Sequence, residues 1–529
     1  MTVLLMLGGC SLDRYPETSM PEDVFWNLNS AENFNMAANY LYSLVPHRFV
    51  DCRADDQLRR NYPNDISAGT RKVPATSSDW TDPYRMIFAA NKIIGAVPAE
   101  DIRLDEIRKY VAEAHFFRAY AYFSLLARYG AIPLVTVAPD DIDDPVLYSA
   151  RAQREEVVGL IYEDLDMAAA DLPLPSYADS ETNADFGRVT RTAAWAFKSR
   201  VALYEGTHMK YHGRGDGKEH LKSAYEAASL VMASGKHELY KAGPEPYRVL
   251  FLYEGENVSE IILPKIYGYQ HTQYLTHNYV YQYAVNYTGT RNFLSLYLRS
   301  DGLPYVDDVA AEMTYNDFFD DRDPRMSQTF LRRGQKYYTW EAYTPTAAGF
   351  GVRKWVRDDG KQDQPSTIDF PLIRYAEVLA TYAEAKFEHD GEISDEDLDK
   401  SVNLLRDRVG MPHITNAFVE QNGLDMLEEI RRERSVELAL EGLRYDDLIR
   451  WKTAEELLPV DILGAKYIKG EWGNTSSGSL EDRFTEDNVV IVEAGSGRFF
   501  DPGKDYLYPI PSNDIAQSKG AVVQNPNWK

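Results

Sequence analysis

Cysteine is nearly absent: Cys10 and Cys52 are the two in 529 residues, too few for a disulfide framework to carry the fold. Excess positive charge is missing as well. The 57 basic residues against 82 acidic ones leave a formal charge of −25, which makes a poor partner for phosphate backbones and excludes nucleic acid as an expected ligand. The same charge resists adsorption to anionic lipid, so a membrane tie has to be covalent or made through a partner. Beyond the opening MTVLLMLGGC, itself too short to span a bilayer, no window is apolar enough to cross a membrane. HExxH and paired CxxC motifs are missing, so zinc chemistry has no sequence support. Neither GxSxG nor a phosphate loop occurs: the glycines near 213–217 lack the Lys-Ser/Thr that would follow.

What the chain does have is ordinary globular composition, 44% apolar and 26% charged, with an unusual load of 37 tyrosines. A tyrosine offers a flat apolar face and a polar tip, suited to packing and equally to stacking on sugar rings. The opening run closes on Leu7-Gly8-Gly9-Cys10, small residues before a cysteine, which resembles a bacterial lipoprotein signal with Cys10 acylated as the mature N-terminus. Cys52 then stands alone as a free thiol.

Periodicity divides the chain as follows: signal 1–10, polar tether 11–30, an N-terminal helical part 31–241 with a long irregular loop at 47–80, a loop-rich subdomain 242–367, and a C-terminal helical part 368–529 ending in a docked tail. In the first helical part Ile107, Val111, Ala114, Phe117, Ala121 and Leu125 form one stripe closed by Gly130. Alanines at 114, 119, 121, 194, 196, 224 and 227 let neighbouring helices approach closely, the packing style of tetratricopeptide helix pairs. In 242–367 short β-like runs alternate with Gly, Pro and Asp, and the segment 267–287 is the densest in tyrosine. The expected fold is therefore mainly α: a tetratricopeptide-like helix-pair scaffold carrying an irregular, loop-rich subdomain with short strands.

The stretch 427–451, LEEIRRERSVELALEGLRYDDLIRW, reads as an amphipathic helix capped at Gly442, a turn and a second helix. Glu433, Glu437 and Glu441 recur every four residues, stacking three carboxylates on one edge. Arg434 lies nearby, and the expected reading is a partly buried ion network of Arg434 with these glutamates that locks helices together, in preference to acid–base catalysis.

Segments 113–135, 157–173, 188–206, 320–326, 372–388, 402–412, 429–451 and the tail YLYPIP…QNPNW occur in an order that resembles the SusD/RagB family of outer-membrane lipoproteins. The resemblance covers nearly the whole chain. It implies a lipid-anchored, surface-exposed, non-enzymatic protein of Gram-negative bacteria, which captures oligosaccharides for import through a partner TonB-dependent transporter of the SusC type. It implies the SusD-like fold, with the ligand held by aromatic platforms and polar side chains on loops.

Candidate glycan contacts follow from the chemistry of stacking and hydroxyl recognition. The 47–80 loop supplies Tyr62, Asn64, Asp65, Arg71 and Trp80; the tyrosine segment supplies Tyr267, Tyr269, Tyr274, Tyr281 and Tyr283; Trp340 lies further along. Helical spacing of Trp80 to Tyr84 and Phe88 also fits a core role. No catalytic residue, cofactor or metal is expected. The aspartates at 140–144 and 317–323 offer oxygen ligands for a structural calcium but lack EF-hand spacing. Two competing classes remain: a glycoside hydrolase with two carboxylates flanking the bond, and a helical-repeat scaffold binding only protein or a non-sugar nutrient.

Overall fold

Small side chains on the inward faces of the N-terminal helices set the architecture. In the computed structural model, Ala114, Ala119, Ala121, Ala194, Ala196, Ala224 and Ala227 are all buried, and the helices that carry them lie against one another. The structure describes residues 31–46, 50–59, 63–97, 104–177, 185–270, 273–338, 340, 342–345, 349–359, 365–473 and 483–529, with the backbone alone at 269–270, 273–275, 282 and 284–285. The expectations for the signal and tether, Cys10 included, and for Tyr62 lie outside the described residues.

The helices are α1 (Ala31–Ser43), α2 (Ser78–Gly95), α3 (Leu104–Tyr129), α4 (Arg154–Asp171), α5 (Arg191–Tyr211) and α6 (Lys218–Ala233). Each from α2 to α5 packs on the next, so that the array runs to α6. Gly130, at φ +70°, closes α3 in the left-handed conformation that glycine adopts without strain. The array continues into the C-terminal part, where α8 (Tyr375–Asp390) packs on α6 and against α10 (Met426–Glu437). Between them runs α9 (Val402–Val409).

A second hydrophobic cluster, rich in aromatics, is built mainly from 247–370, joined by Val436 at the end of α10, by Ala439 and Leu440 just after it, and by Ala465, Trp472 and Val490. Its secondary structure is sparse, as the sequence implies. Strand β1 (Gln57–Arg59) pairs with β5 (Tyr287–Gly289), and β2 (Ile261–Lys265) pairs antiparallel with β6 (Phe370–Arg374). Strands β3 (Gly268–Gln270) and β4 (Gln273–Leu275) form a hairpin with Tyr269 opposite Tyr274. It leads into α7 (Tyr279–Asn286). Strands β7 (Ile462–Lys466) and β8 (Val489–Glu493) close the outer side.

Element boundaries depart from the periodicity where tertiary pairing overrides it. Residues 370–374 are extended because they pair with β2, so the helix that the pattern of 372–388 predicts starts only at Tyr375. The helix in 427–451 ends at Glu437 rather than at Gly442: Leu440 takes φ +62°, and α11 (Arg444–Arg450) follows. Glu441 therefore sits in the turn and not on the helix edge.

All three glutamates are nonetheless buried among guanidinium groups. Arg325 donates to both Glu433 and Glu437, the latter at 3.0 Å. Arg374 donates to Glu437 at 2.7 Å and to Glu441 at 2.6 Å. Arg408 pairs with Glu437 and Glu260, and Lys354 Nζ lies 2.7 Å from Glu441. Burial opposes the charge on Glu437, but Arg408, Arg374 and Arg325 win and hold its carboxyl far below the usual range. Arg434 belongs elsewhere. Its guanidinium reaches Asp447 and Thr381, in a second network where Arg450 makes a two-pronged pair with Glu384. That corrects the single network expected from spacing: two ionic seams run on either side of α10.

Candidate functional site

The residues singled out in the sequence separate by burial. Trp80 is a core residue, with its ring edge-on to Tyr129 at 4.9 Å and tilted on Tyr84 at 5.2 Å, so the helical spacing decides against a ligand face. Arg71 is buried too. Its guanidinium donates to the Asp505 carbonyl at 2.7 Å and lies over the Tyr508 ring, clamping the C-terminal tail. Tyr283 is fully buried against Tyr287, and Tyr267 is buried edge-on to His277 at 4.6 Å. These four have no face to offer a ligand. Asn64 is half-buried and accepts the Ile66 and Ser67 amides, which makes it a turn-former; Asp65 beside it is exposed. Asn64 also lines a cavity of about 440 Å³ with Asp51, Arg53, Asp79, Asp82 and Arg128. For Tyr269 and Tyr274 only the backbone is described, opposite one another in the hairpin.

Tyr281 and Trp340 behave differently. They are 38% and 44% exposed, and the fold brings them together across 59 positions through a third ring that the sequence reading missed, Tyr338. Tyr281 and Tyr338 have centroids 5.9 Å apart, and Tyr338 and Trp340 6.3 Å. Tyr338 and Trp340 lie in a tight reversal: the Tyr337 amide donates to the Trp340 carbonyl at 3.1 Å and the Trp340 amide returns to Tyr337 at 2.8 Å. Tyr338 sits at φ +54°, a conformation costly for an aromatic residue, and is held there by a 2.7 Å bond from its amide to the Arg357 carbonyl. Backbone strain of this kind gathers where a side chain must be aimed. Beside the patch the Arg357 guanidinium pairs with Asp359 and lies over the Tyr253 ring, adding charged groups to the rim. Tyr337 and Tyr338 are both buried, so alternation along the chain gives no signal that would have found Tyr338.

The stem of the neighbouring hairpin is tied down by a pair of acids absent from the sequence-based candidates. Asp369 accepts the Tyr267 amide at 2.7 Å, and Glu256 accepts the Asp369 amide at 3.0 Å. Burial is the main cause that pushes Glu256 up to about 7, and burial followed by the Glu256 charge raises Asp369 well above the carboxylate range. His277 completes the tie, exchanging main-chain bonds with Ser366 at 2.9 and 2.7 Å.

The other constellations are occupied structurally. Asp144 and Asp317 accept main-chain amides at the starts of single turns, and Asp323 is paired with Arg325. Among the described residues, no group of three or more His, Cys, Asp or Glu side chains is placed to hold a metal.

Comparison with known proteins supplies the family. A profile described as the SusD family matches residues 259–528, and one described as "Starch-binding associating with outer membrane" matches 35–203. The chain belongs to the SusD family. A SusD-like protein of Bacteroides ovatus is 26% identical over 557 aligned positions, covering 98% of this chain and 95% of its own. The starch-binding protein SusD of Bacteroides thetaiotaomicron is 25% identical over 64% of each chain. Among solved structures, a SusD-like carbohydrate-binding protein from Bacteroides fragilis superposes with a TM-score of 0.76 at 24% identity, over 93% of this chain and 99% of that one. That likeness establishes the SusD-like fold, mainly helical with small two-stranded sheets. The aromatic patch lies within the segment that the first profile matches.

Proposed function

We propose that this SusD-family protein captures oligosaccharides, and that the Tyr281–Tyr338–Trp340 patch on the loop-rich 242–367 side is where a glycan first stacks. The observation that carries this reading is the patch itself: two exposed rings joined by a third in a strained, pinned conformation, with Arg357 and Asp359 beside it. Tyr281 and Trp340 present exposed faces to the C–H side of a pyranose, the buried Tyr338 ring backs them from between, and the charged groups suit hydroxyls. The names of relatives support the same class of ligand, starch for the Bacteroides thetaiotaomicron protein and carbohydrate for the Bacteroides fragilis one.

The role is capture rather than hydrolysis. The conspicuous acidic pairs are committed elsewhere: Glu433, Glu437 and Glu441 to arginines and a lysine in the core, Glu256 and Asp369 to main-chain amides of the hairpin stem. Association with the outer membrane runs through the lipid on Cys10, on the cell surface of a Gram-negative bacterium, and delivery runs to a SusC-like TonB-dependent transporter. The description of the profile matching 35–203 supports the membrane part.

Affinity electrophoresis of the folded protein against a panel of soluble polysaccharides tests the capture reading. Retardation by at least one glycan, lost in Tyr281→Ala/Trp340→Ala, is the expected result. Silence across a broad panel, or co-purification of a transporter with no glycan affinity, overturns it. Mass spectrometry of the membrane fraction from cells expressing the protein and its Cys10→Ser variant tests the anchor: both variants remaining in the membrane would dismiss it.

A further inference from the structure

We propose that the groove between α1 and β2 is a second ligand site, one that takes a small amphiphilic carboxylate with its anionic head on Lys265 and its apolar body along α1. It is separate from the glycan patch. The groove holds about 320 Å³, within the range of small-molecule sites, and its walls include Met36, Val45, Phe117, Leu263, Ile266 and Leu372. Met36 and the neighbouring Tyr40 line its mouth and are 49% and 48% exposed. Walls of this kind offer little to sugar hydroxyls and suit a hydrocarbon or aromatic body.

The polar group that selects a ligand is Lys265, the last residue of β2, which lines the groove and is 6% exposed. Its Nζ donates to the Tyr42 carbonyl at 2.8 Å, and among the described residues no carboxylate forms an ion pair with it. The other cation on the wall, Arg188, is already spent on Glu113 at 2.6 Å and on Asn39. An ammonium has three donors, so two remain after the Tyr42 bond, a match for the two oxygens of one carboxylate. Keeping this charge buried without a counter-ion is costly, and burial pulls its pKa down to about 8. A monoanion arriving at Nζ recovers that cost. A phosphate dianion brings more charge than one ammonium balances.

Isothermal titration calorimetry of the full chain at pH 7 tests this with decanoate below its micelle concentration, against decanol (the same body without the charge) and acetate (the head without the body). Decanoate should bind at one saturable site at least tenfold more tightly than decanol, with acetate showing no heat. Raising the pH to 9.5 should weaken decanoate about tenfold as Lys265 loses its proton. Lys265→Met, which conserves volume, should erase the preference for decanoate while keeping decanol. Should that variant melt early, Met36→Glu at the exposed mouth should weaken decanoate by repulsion and leave melting unchanged. Equal affinity for decanoate and decanol, absence of saturable binding, or decanoate affinity unchanged in both variants would overturn the proposal. Retardation by glycans should be untouched by either variant, so this test and that of the glycan patch fail independently.

Discussion

Removing Glu437 is the most direct probe of what the stretch 427–451 does. Its carboxylate is fully buried and receives Arg325 at 3.0 Å, Arg374 at 2.7 Å and Arg408. Glu437→Ala strips one anion from beneath three cations and leaves a void. Breaking a buried ion pair costs about 3–5 kcal/mol, because the charge left behind stays desolvated. Three losses do not add here, since each arginine keeps another carboxylate: Arg325 keeps Asp323 and Glu433, Arg374 keeps Glu260 and Glu441, and Arg408 keeps Glu260. The unfolding entropy of globular proteins, about 2 cal/mol/K per residue, makes about 1 kcal/mol/K for a chain of this length unfolding as one unit. The melting point should therefore fall by about 3–5 °C. Scanning calorimetry reads that shift, and glycan retardation per folded molecule should stay at the wild-type value. A variant that melts normally yet loses ligand would refute the assignment of this network to the scaffold and move the binding site to it.

Trp340→Ala should weaken glycan binding about fivefold, the equivalent of about 1 kcal/mol for one stacking ring, with the melting point unchanged; an early melt instead would make the ring structural. Trp80→Ala should do the opposite, destabilising by about 3–5 kcal/mol while folded molecules keep their glycan affinity, as separate melting and binding measurements would reveal. Two buried acids should contribute a stabilisation that declines as pH rises from about 5 to 8.5, opposed at the lower end by His208, His212, His220 and His237, whose pKa values burial lowers. Burial raises Asp56 to about 8 and Glu256 to about 7, so the folded state holds protons that the unfolded chain has released above about 4, and the stabilisation disappears as pH passes through the folded values. Asp56→Asn, which mimics the protonated acid, should flatten that slope in melting scans; an unchanged slope would show that Asp56 is ionised throughout.

The helical half of the fold is legible in sequence because its causes are local. A stripe such as Ile107–Leu125 and a stop such as Gly130 act within a few residues, and α3 follows them from Leu104 to Tyr129. Where the partner is remote, periodicity misleads. Residues 372–374 look helical until β2, about a hundred positions earlier, claims their main-chain bonds. The ion network was half visible: Glu433 and Glu437 signal by spacing, but Arg325 and Arg374 reach them from far upstream, and Arg434 turns away to Asp447. The patch was less visible still. Eleven glycan-contact candidates include Tyr281 and Trp340, yet nothing local tells Tyr281 from the buried Tyr283 two residues on, because α7 has no repeating partner to fix which face is inside. Tyr338 depends on a left-handed turn that no glycine announces.

The two ionic seams explain how a loop-rich unit can be carried rigidly on a helical array. Hydrophobic contacts tolerate rotation between layers, whereas paired guanidinium–carboxylate forks fix distance and angle together. Arg325 comes from the short helix Pro324–Thr329 in the irregular unit, Arg374 from the end of β6, and Arg408 from α9; all three meet on Glu437 of α10. On the other side of α10, Arg434 and Arg450 bind Asp447, and Arg450 reaches Glu384 on α8. One helix thus registers the helical array against the aromatic cluster. The same geometry sets a limit on catalysis at these carboxylates. Glu437 is held ionised by three cations and stays charged across the physiological range, so it has neither a proton to give nor a lone pair free to accept one. The hairpin stem is the reverse case, since Glu256, raised to about 7, can change charge near neutrality. A change of charge at Glu256 would act on the Asp369 amide that it accepts and, through Asp369, on the Tyr267 amide at the hairpin stem, whereas the seams beside α10 stay paired.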